Sequence, residues 1–136
     1  MDAALANLVV VAALNGLIWT IQVVHYPLFA LVGPEPWLRY VIERQRRITW
    51  IVLPLMSVAV ALSVALVARN PGVLAWCNAV IAVGQFVVTG LVYAPLHGEL
   101  ARGFAVDRIH RLVRLNWLRT GGWTVQLAVA TVLAAS

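Results

Sequence analysis

Apolar residues fall in four long runs: Ala3 to about Val24, Ile48 to Ala68, Val73 to about Pro95, and Leu112 to Ala135. Each is long enough for a helix to cross a bilayer, which takes about 20 residues. Arg69-Asn70-Pro71-Gly72 is a tight turn signal that separates the second run from the third. The pattern predicts an all-α fold: an antiparallel four-helix transmembrane bundle in one integral membrane domain, 1–136, with spans near 3–24, 48–68, 73–95 and 112–135. The first run lacks the basic stretch of a signal peptide, since Asp2 is the only charge before it, so it reads as a retained span.

Composition strengthens this reading. The chain of 136 residues is 62% apolar and only 11% charged, whereas soluble domains are about 45–50% apolar and about 25% charged. A water-soluble globule is therefore excluded, and four spans leave no room for a separate soluble catalytic domain. Cys77 is the single cysteine, so no intrachain disulfide or CxxC chemistry is available.

Charge sets the orientation. The formal charge of +5 comes from ten arginines and five acids. Arg39, Arg44, Arg46, Arg47, Arg102, Arg108 and Arg111 lie in the two long loops, with Arg114 just inside the fourth span, whereas the opposite side offers only Arg69. The positive-inside rule then places those loops in the cytoplasm of a cell whose inner membrane carries the protein, and both termini on the other side. Anionic lipid headgroups account for the arginines, so the basic balance does not imply nucleic acid.

The two hairpins resemble each other. Pro27 and Pro95, and Gly16 and Gly84, are 68 residues apart, while Trp50 and Trp117 are 67 apart. A duplication would be parallel, about an axis along the membrane normal; interfacial anchoring by Arg and Trp is the alternative source of the match.

Polar residues at membrane depth mark inward faces. Asn15, Trp19, Gln22 and Tyr26 are one stripe of the first span, Asn78, Gln85 and Thr89 one of the third, and Asn116, Arg119, Trp123 and Gln126 one of the fourth. Amides bridge membrane helices for a modest gain, which covers several of these. Arg119 is harder to accommodate. It lies eight residues beyond Arg111, about 12 Å deeper along a helix, with no acid at matching depth. A hydrated cavity holding an anionic or carbonyl-bearing ligand is the functional alternative to snorkelling towards Glu43 or Glu99.

His25, His97 and His110 share the arginine-rich level, and His25 and His97 are the candidates for proton transfer or for a metal or haem, neither of which the sequence requires. Trp37, Trp50, Trp76 and Trp117 fall at expected interfaces, where aromatic belts form; Trp19 and Trp123 lie deeper and either wall a pocket for a flat, lipophilic aromatic ligand or simply pack, with Gln22, Tyr26, Gln85 and Trp117 as further candidate binding residues. No GxSxG, P-loop or GxGxxG is present.

Asn15-Gly16-Leu17 running into His25-Tyr26-Pro27, Pro54 in the second span and Asn116-Trp117-Leu118-Arg119-Thr120 in the fourth resemble small bacterial four-helix membrane proteins of the anthrone-oxygenase type. The resemblance implies oxidation of a polycyclic anthrone to a quinone by dioxygen, with His25, Asn116, Trp117 and Arg119 in the polar core. A weaker similarity, Arg114 and Asn116 in the last span, is to the membrane-bound protoporphyrinogen oxidase; its early-span histidine has no counterpart here. The expected function is a redox-type membrane protein that binds a planar lipophilic ligand near the cytoplasmic face. In that expectation Asn116 and Arg119 stabilise oxyanion charge, and His25 or His97 takes a proton. An accessory or assembly subunit, a small-anion carrier, and self-association through the small residues of the second span are the other expectations.

Overall fold

The computed structural model describes residues 2–136. Asp2 caps the first helix, its side chain accepting from the Ala4 amide at 3.4 Å. Five α-helices follow in order: α1 (Ala3–Thr20), α2 (Trp37–Arg69), α3 (Val73–Val88), α4 (Ala94–Leu100) and α5 (Val106–Ala135). A π turn, Ile21–His25, and a 3₁₀ turn, Pro27–Leu31, extend α1; a second π turn, Thr89–Tyr93, joins α3 to α4. The outcome is four antiparallel rods, all helical, with no strand among the described residues. The rods Ala3–Leu31, Trp37–Arg69 and Val73–Leu100 are long and apolar enough to cross a membrane. The fourth rod, α5, matches them in length at 30 residues but is diluted by Arg119, Thr120 and Gln126.

Each rod packs against two neighbours, α1 on α2 and α5, and α3 on α2 and α5. The middle of the core is Leu14, Ile18, Met56, Ala59 and Trp123. The loop end is aromatic, with Tyr26, Phe29, Trp37 and Tyr93 buried among Leu96, Leu100, Ile109 and Leu112. The connections there turn at Gly33 and Gly103, whose φ of 81° and 146° suit a residue without a Cβ.

At the other end each rod contributes one polar side chain to a buried layer. Ser63 Oγ donates to Asn7 Oδ1 at 3.2 Å, Asn78 Nδ2 to Ser63 Oγ at 2.9 Å, and Gln126 Nε2 to Asn78 Oδ1 at 3.3 Å. Such bonds glue helices where lipid gives no hydrophobic drive.

The structure extends the spans beyond the apolar runs. Most of the segment between Pro27 and Arg47, expected as loop, is the first three turns of α2. Its stripe Trp37, Val41, Arg44 turns inward, and a helix once begun propagates through favourable residues. Trp37, expected in an interfacial belt, is buried instead, its indole N–H donating to the Leu100 carbonyl at 2.7 Å. Trp50, Trp76 and Trp117 do face outward.

Candidate functional site

Arg44 organises the loop end of the bundle. It is 8% exposed. Its Nε donates to His25 Nε2 at 2.9 Å, and its Nη1 lies 3.2 Å from His97 Nε2. The Tyr26 hydroxyl is 3.0 Å from that same His97 nitrogen. The guanidinium carbon stands 5.1 and 5.3 Å from the ring centres of Tyr26 and Phe29, within cation–π range. His97 Nδ1 is 2.6 Å from the Tyr93 carbonyl. A carbonyl only accepts, so Nδ1 carries the proton and the Nε2 lone pair faces Arg44 and Tyr26. His25, accepting at Nε2, is held in the same tautomer. One guanidinium therefore occupies both imidazoles.

Arg119 forms the second centre, 7% exposed. Its guanidinium carbon lies 4.6 Å from the centre of the Tyr93 ring. Nη1 makes a long 3.5 Å contact with Asn116 Oδ1. Asn116 Nδ2 donates to Gln22 Oε1 at 2.7 Å, and Gln22 Nε2 donates to the Val113 carbonyl at 3.1 Å. Gln85 Nε2 donates to the Arg119 carbonyl at 3.0 Å, crossing at Gly122, where an added Cβ would overlap the amide.

Neither arginine has an anionic partner among the described residues. Glu43 is held by Arg46 and Arg47 at 2.9 and 2.8 Å, and Glu99 faces Arg111 at 4.0 Å. Snorkelling of Arg119 towards either acid is thus not what the fold does. Arg44 Nη2 and Arg119 Nε are buried without a hydrogen-bond partner. Burying a guanidinium without an anion in an apolar bundle is costly, at least about 2.5 kcal/mol for one at the centre of a span.

Both arginines line one cavity of about 230 Å³ between α2 and α3, which Tyr93 and His97 also border. Its other walls are mostly apolar, including Ile48, Val52 and Met56. Leu53, Phe86 and Gly90 form an exposed rim. The mouth therefore opens sideways, at the depth of the apolar part of α2.

The cavity falls where the two seams of the bundle differ at positions one repeat interval apart. The two π turns, Ile21–His25 and Thr89–Tyr93, are 68 residues apart, the same interval as Pro27 and Pro95. Gln22 and Asn116 correspond by these intervals to Gly90 and Thr49. On the α1–α5 seam Gln22 and Asn116 are hydrogen-bonded and fill the space. On the α2–α3 seam Gly90 and Thr49 leave it open.

The structure brings most of the expected residues together. His25, His97 and Tyr26 meet on Arg44; Gln22, Gln85 and Asn116 surround Arg119. Trp123 is buried below Arg119 in the central core, where its role is packing. Trp117 is 49% exposed and meets Trp19 edge-on at 5.7 Å, on the outside of the bundle and away from the cavity. Asn15 and Trp19 also turn from the interior to the α1–α5 seam, where Thr124 Oγ1 takes the Trp19 N–H at 3.1 Å and lies 3.0 Å from Asn15 Oδ1. The π turn inserts a residue and rotates Gln22 and Tyr26 away from that stripe.

Arg44 is the residue of the candidate site that reading the sequence missed. The signal was the inward spacing of Trp37, Val41, Arg44 and Ile48. The Nε2 lone pairs of His25 and His97 are both turned onto the Arg44 guanidinium rather than presented to a haem or metal, and no three of His, Cys, Asp and Glu converge among the described residues. Comparison with family models, with curated proteins and with solved structures finds no match to this chain.

Proposed function

We propose that this is a redox-type membrane protein that takes a small, planar, lipophilic molecule from the bilayer and holds it as an oxyanion. The observation that carries the reading is the pair of buried guanidiniums, Arg44 and Arg119, bordering one otherwise apolar cavity with no carboxylate beside them. An acidic hydroxyl or an enolisable carbonyl on the ligand supplies the missing negative charge. The sideways mouth suits a ligand that partitions into lipid. By the positive-inside rule the arginine-rich end faces the cytoplasm.

The residues divide the work. Arg119, with Asn116 behind it, and Arg44 stabilise the oxyanion, a preorganised charge arrangement of the oxyanion-hole kind. Once Arg44 turns to the ligand, His97 Nε2 is released and receives the ligand proton, the Tyr26 hydroxyl beside it orienting the ring. The resulting enolate or phenolate is the electron-rich form that an oxidant attacks. In the reaction that the anthrone-oxygenase resemblance implies, that oxidant is dioxygen: a methylene and O₂ give a carbonyl and water. Amide glue explains the Asn7–Ser63–Asn78–Gln126 layer without a ligand, but it leaves the two arginines unexplained.

The test is spectroscopic. Detergent-purified protein is titrated with 1,8-dihydroxyanthrone, and the red-shifted absorption of the bound anion is followed. Arg119→Gln and Arg44→Gln are each expected to weaken binding about 30-fold or more, the loss of a buried charge-assisted interaction of about 2–3 kcal/mol, with helical circular dichroism unchanged. A wild-type protein that binds no anion, or variants that bind it equally well, would overturn the reading.

A further inference from the structure

A second concavity, of about 530 Å³, lies on the outer side of Arg44. It follows two adjacent ridges of α2. Arg39, Glu43, Arg47 and Ile51 descend one ridge at intervals of four residues; Pro36, Tyr40, Arg44 and Ile48 descend the other, with His25 of the first rod closing the side. Charge changes along the length of the groove. Its upper three turns present three guanidiniums against one carboxylate, and that carboxylate is already taken by Arg46 and Arg47. One turn further down, Ile48 and Ile51 are apolar, and Ile51 and the neighbouring Trp50 are 53% and 78% exposed. Arg39 makes no hydrogen bond or ion pair among the described residues. The groove is thus cationic at the end where the loops begin and greasy where α2 enters its apolar run, a gradient spanning about 18 Å.

We propose that this groove is a specific site for an anionic phospholipid, its phosphate held between Arg39 and Arg47 and an acyl chain lying over Ile48 and Ile51. Diffuse attraction to an anionic leaflet acts on every surface arginine; a site additionally needs a concave wall and a path for the chain, and the α2 face of the basic end supplies both. Arg108 and Arg111 offer the contrast: Arg108 donates to the Glu99 carbonyl at 2.8 Å and Arg111 faces Glu99, on the surface of α5 and outside this groove. Arg44 and Ile48 border the groove and the inner cavity alike. A headgroup in the groove therefore sits against the same guanidinium that occupies His25 and His97.

Native mass spectrometry of the full-length protein, released from detergent micelles doped with phosphatidylglycerol or phosphatidylcholine, tests this. One tightly retained phosphatidylglycerol is expected, preferred over phosphatidylcholine by about tenfold or more, and undisplaced by millimolar inorganic phosphate. The double variant Arg39→Gln/Arg47→Gln is expected to lose that preference, about one factor of ten, while Arg108→Gln/Arg111→Gln keeps it. Arg119→Gln, which disables only the inner cavity, also keeps it, so failure of the proposed ligand chemistry and failure of the lipid site read differently. Equal retention of both lipids, displacement by free phosphate, or equal loss in the two double variants would overturn the proposal.

Discussion

A buried arginine with nothing opposite it is a cost that the rest of the molecule has to offset. Arg119 has one long contact to an amide oxygen and a stack on Tyr93, but Nε has no acceptor. Replacing it by methionine removes the uncompensated charge while keeping most of the volume, so ligand-free Arg119→Met is expected to be more stable by about 2–3 kcal/mol. Its thermal unfolding in detergent should move upward while anion binding disappears. A lowered midpoint would mean that the guanidinium serves the fold. At this scale the sequence was informative where polar character contradicted depth, as with Arg119, Asn116 and Gln22. It was faint for Arg44, which stands among exposed arginines at 39, 46 and 47 and is set apart only by the inward spacing it shares with Trp37, Val41 and Ile48. Asn7 was missed for a similar reason, being one amide near the start of an apolar run.

The four rods were visible as apolar runs because a helix face turned to lipid must be apolar, and hydropathy measures that directly; the fourth, diluted by Arg119, Thr120 and Gln126, is the weakest of the four. Their ends were not visible. Helix α2 begins eleven residues before its apolar run, since amphipathic turns at a membrane surface carry charge on the outward face. The π turns left no compositional mark either; a π turn is a choice of hydrogen-bond register, and ordinary residues adopt it. Their consequence is local. Where the first π turn holds Gln22, the second holds Gly90, whose added Cβ would meet nothing within 4 Å. Gly90→Gln is therefore expected to reproduce the filled seam, abolishing anion binding with circular dichroism and thermal midpoint nearly unchanged. Retention of binding by this variant would place the ligand elsewhere.

Across the whole molecule the hairpins stack so that the start of α1 and the end of α5 share one face of the bundle with the α2–α3 turn, and the connections α1–α2 and α4–α5 share the other. Topology is open to a direct check: in a Cys77→Ala background, Arg102→Cys, at an exposed position, is expected to resist a membrane-impermeant thiol reagent added to intact cells, while Ser136→Cys reacts. The reverse pattern would invert the cytoplasmic assignment. The correspondence between the halves also has a consequence for how such a chamber arises. Two like hairpins closing on one another generate two like seams, and a bundle needs only one of them braced. Here Gln22 and Asn116 act as the rivet, which frees the opposite seam to go without one. Exchanging the partners, Gln22→Gly with Gly90→Gln, would hand the vacancy to the other flank. Because neither Arg44 nor His97 borders that flank, the transplanted hollow would be the right shape with the wrong chemistry.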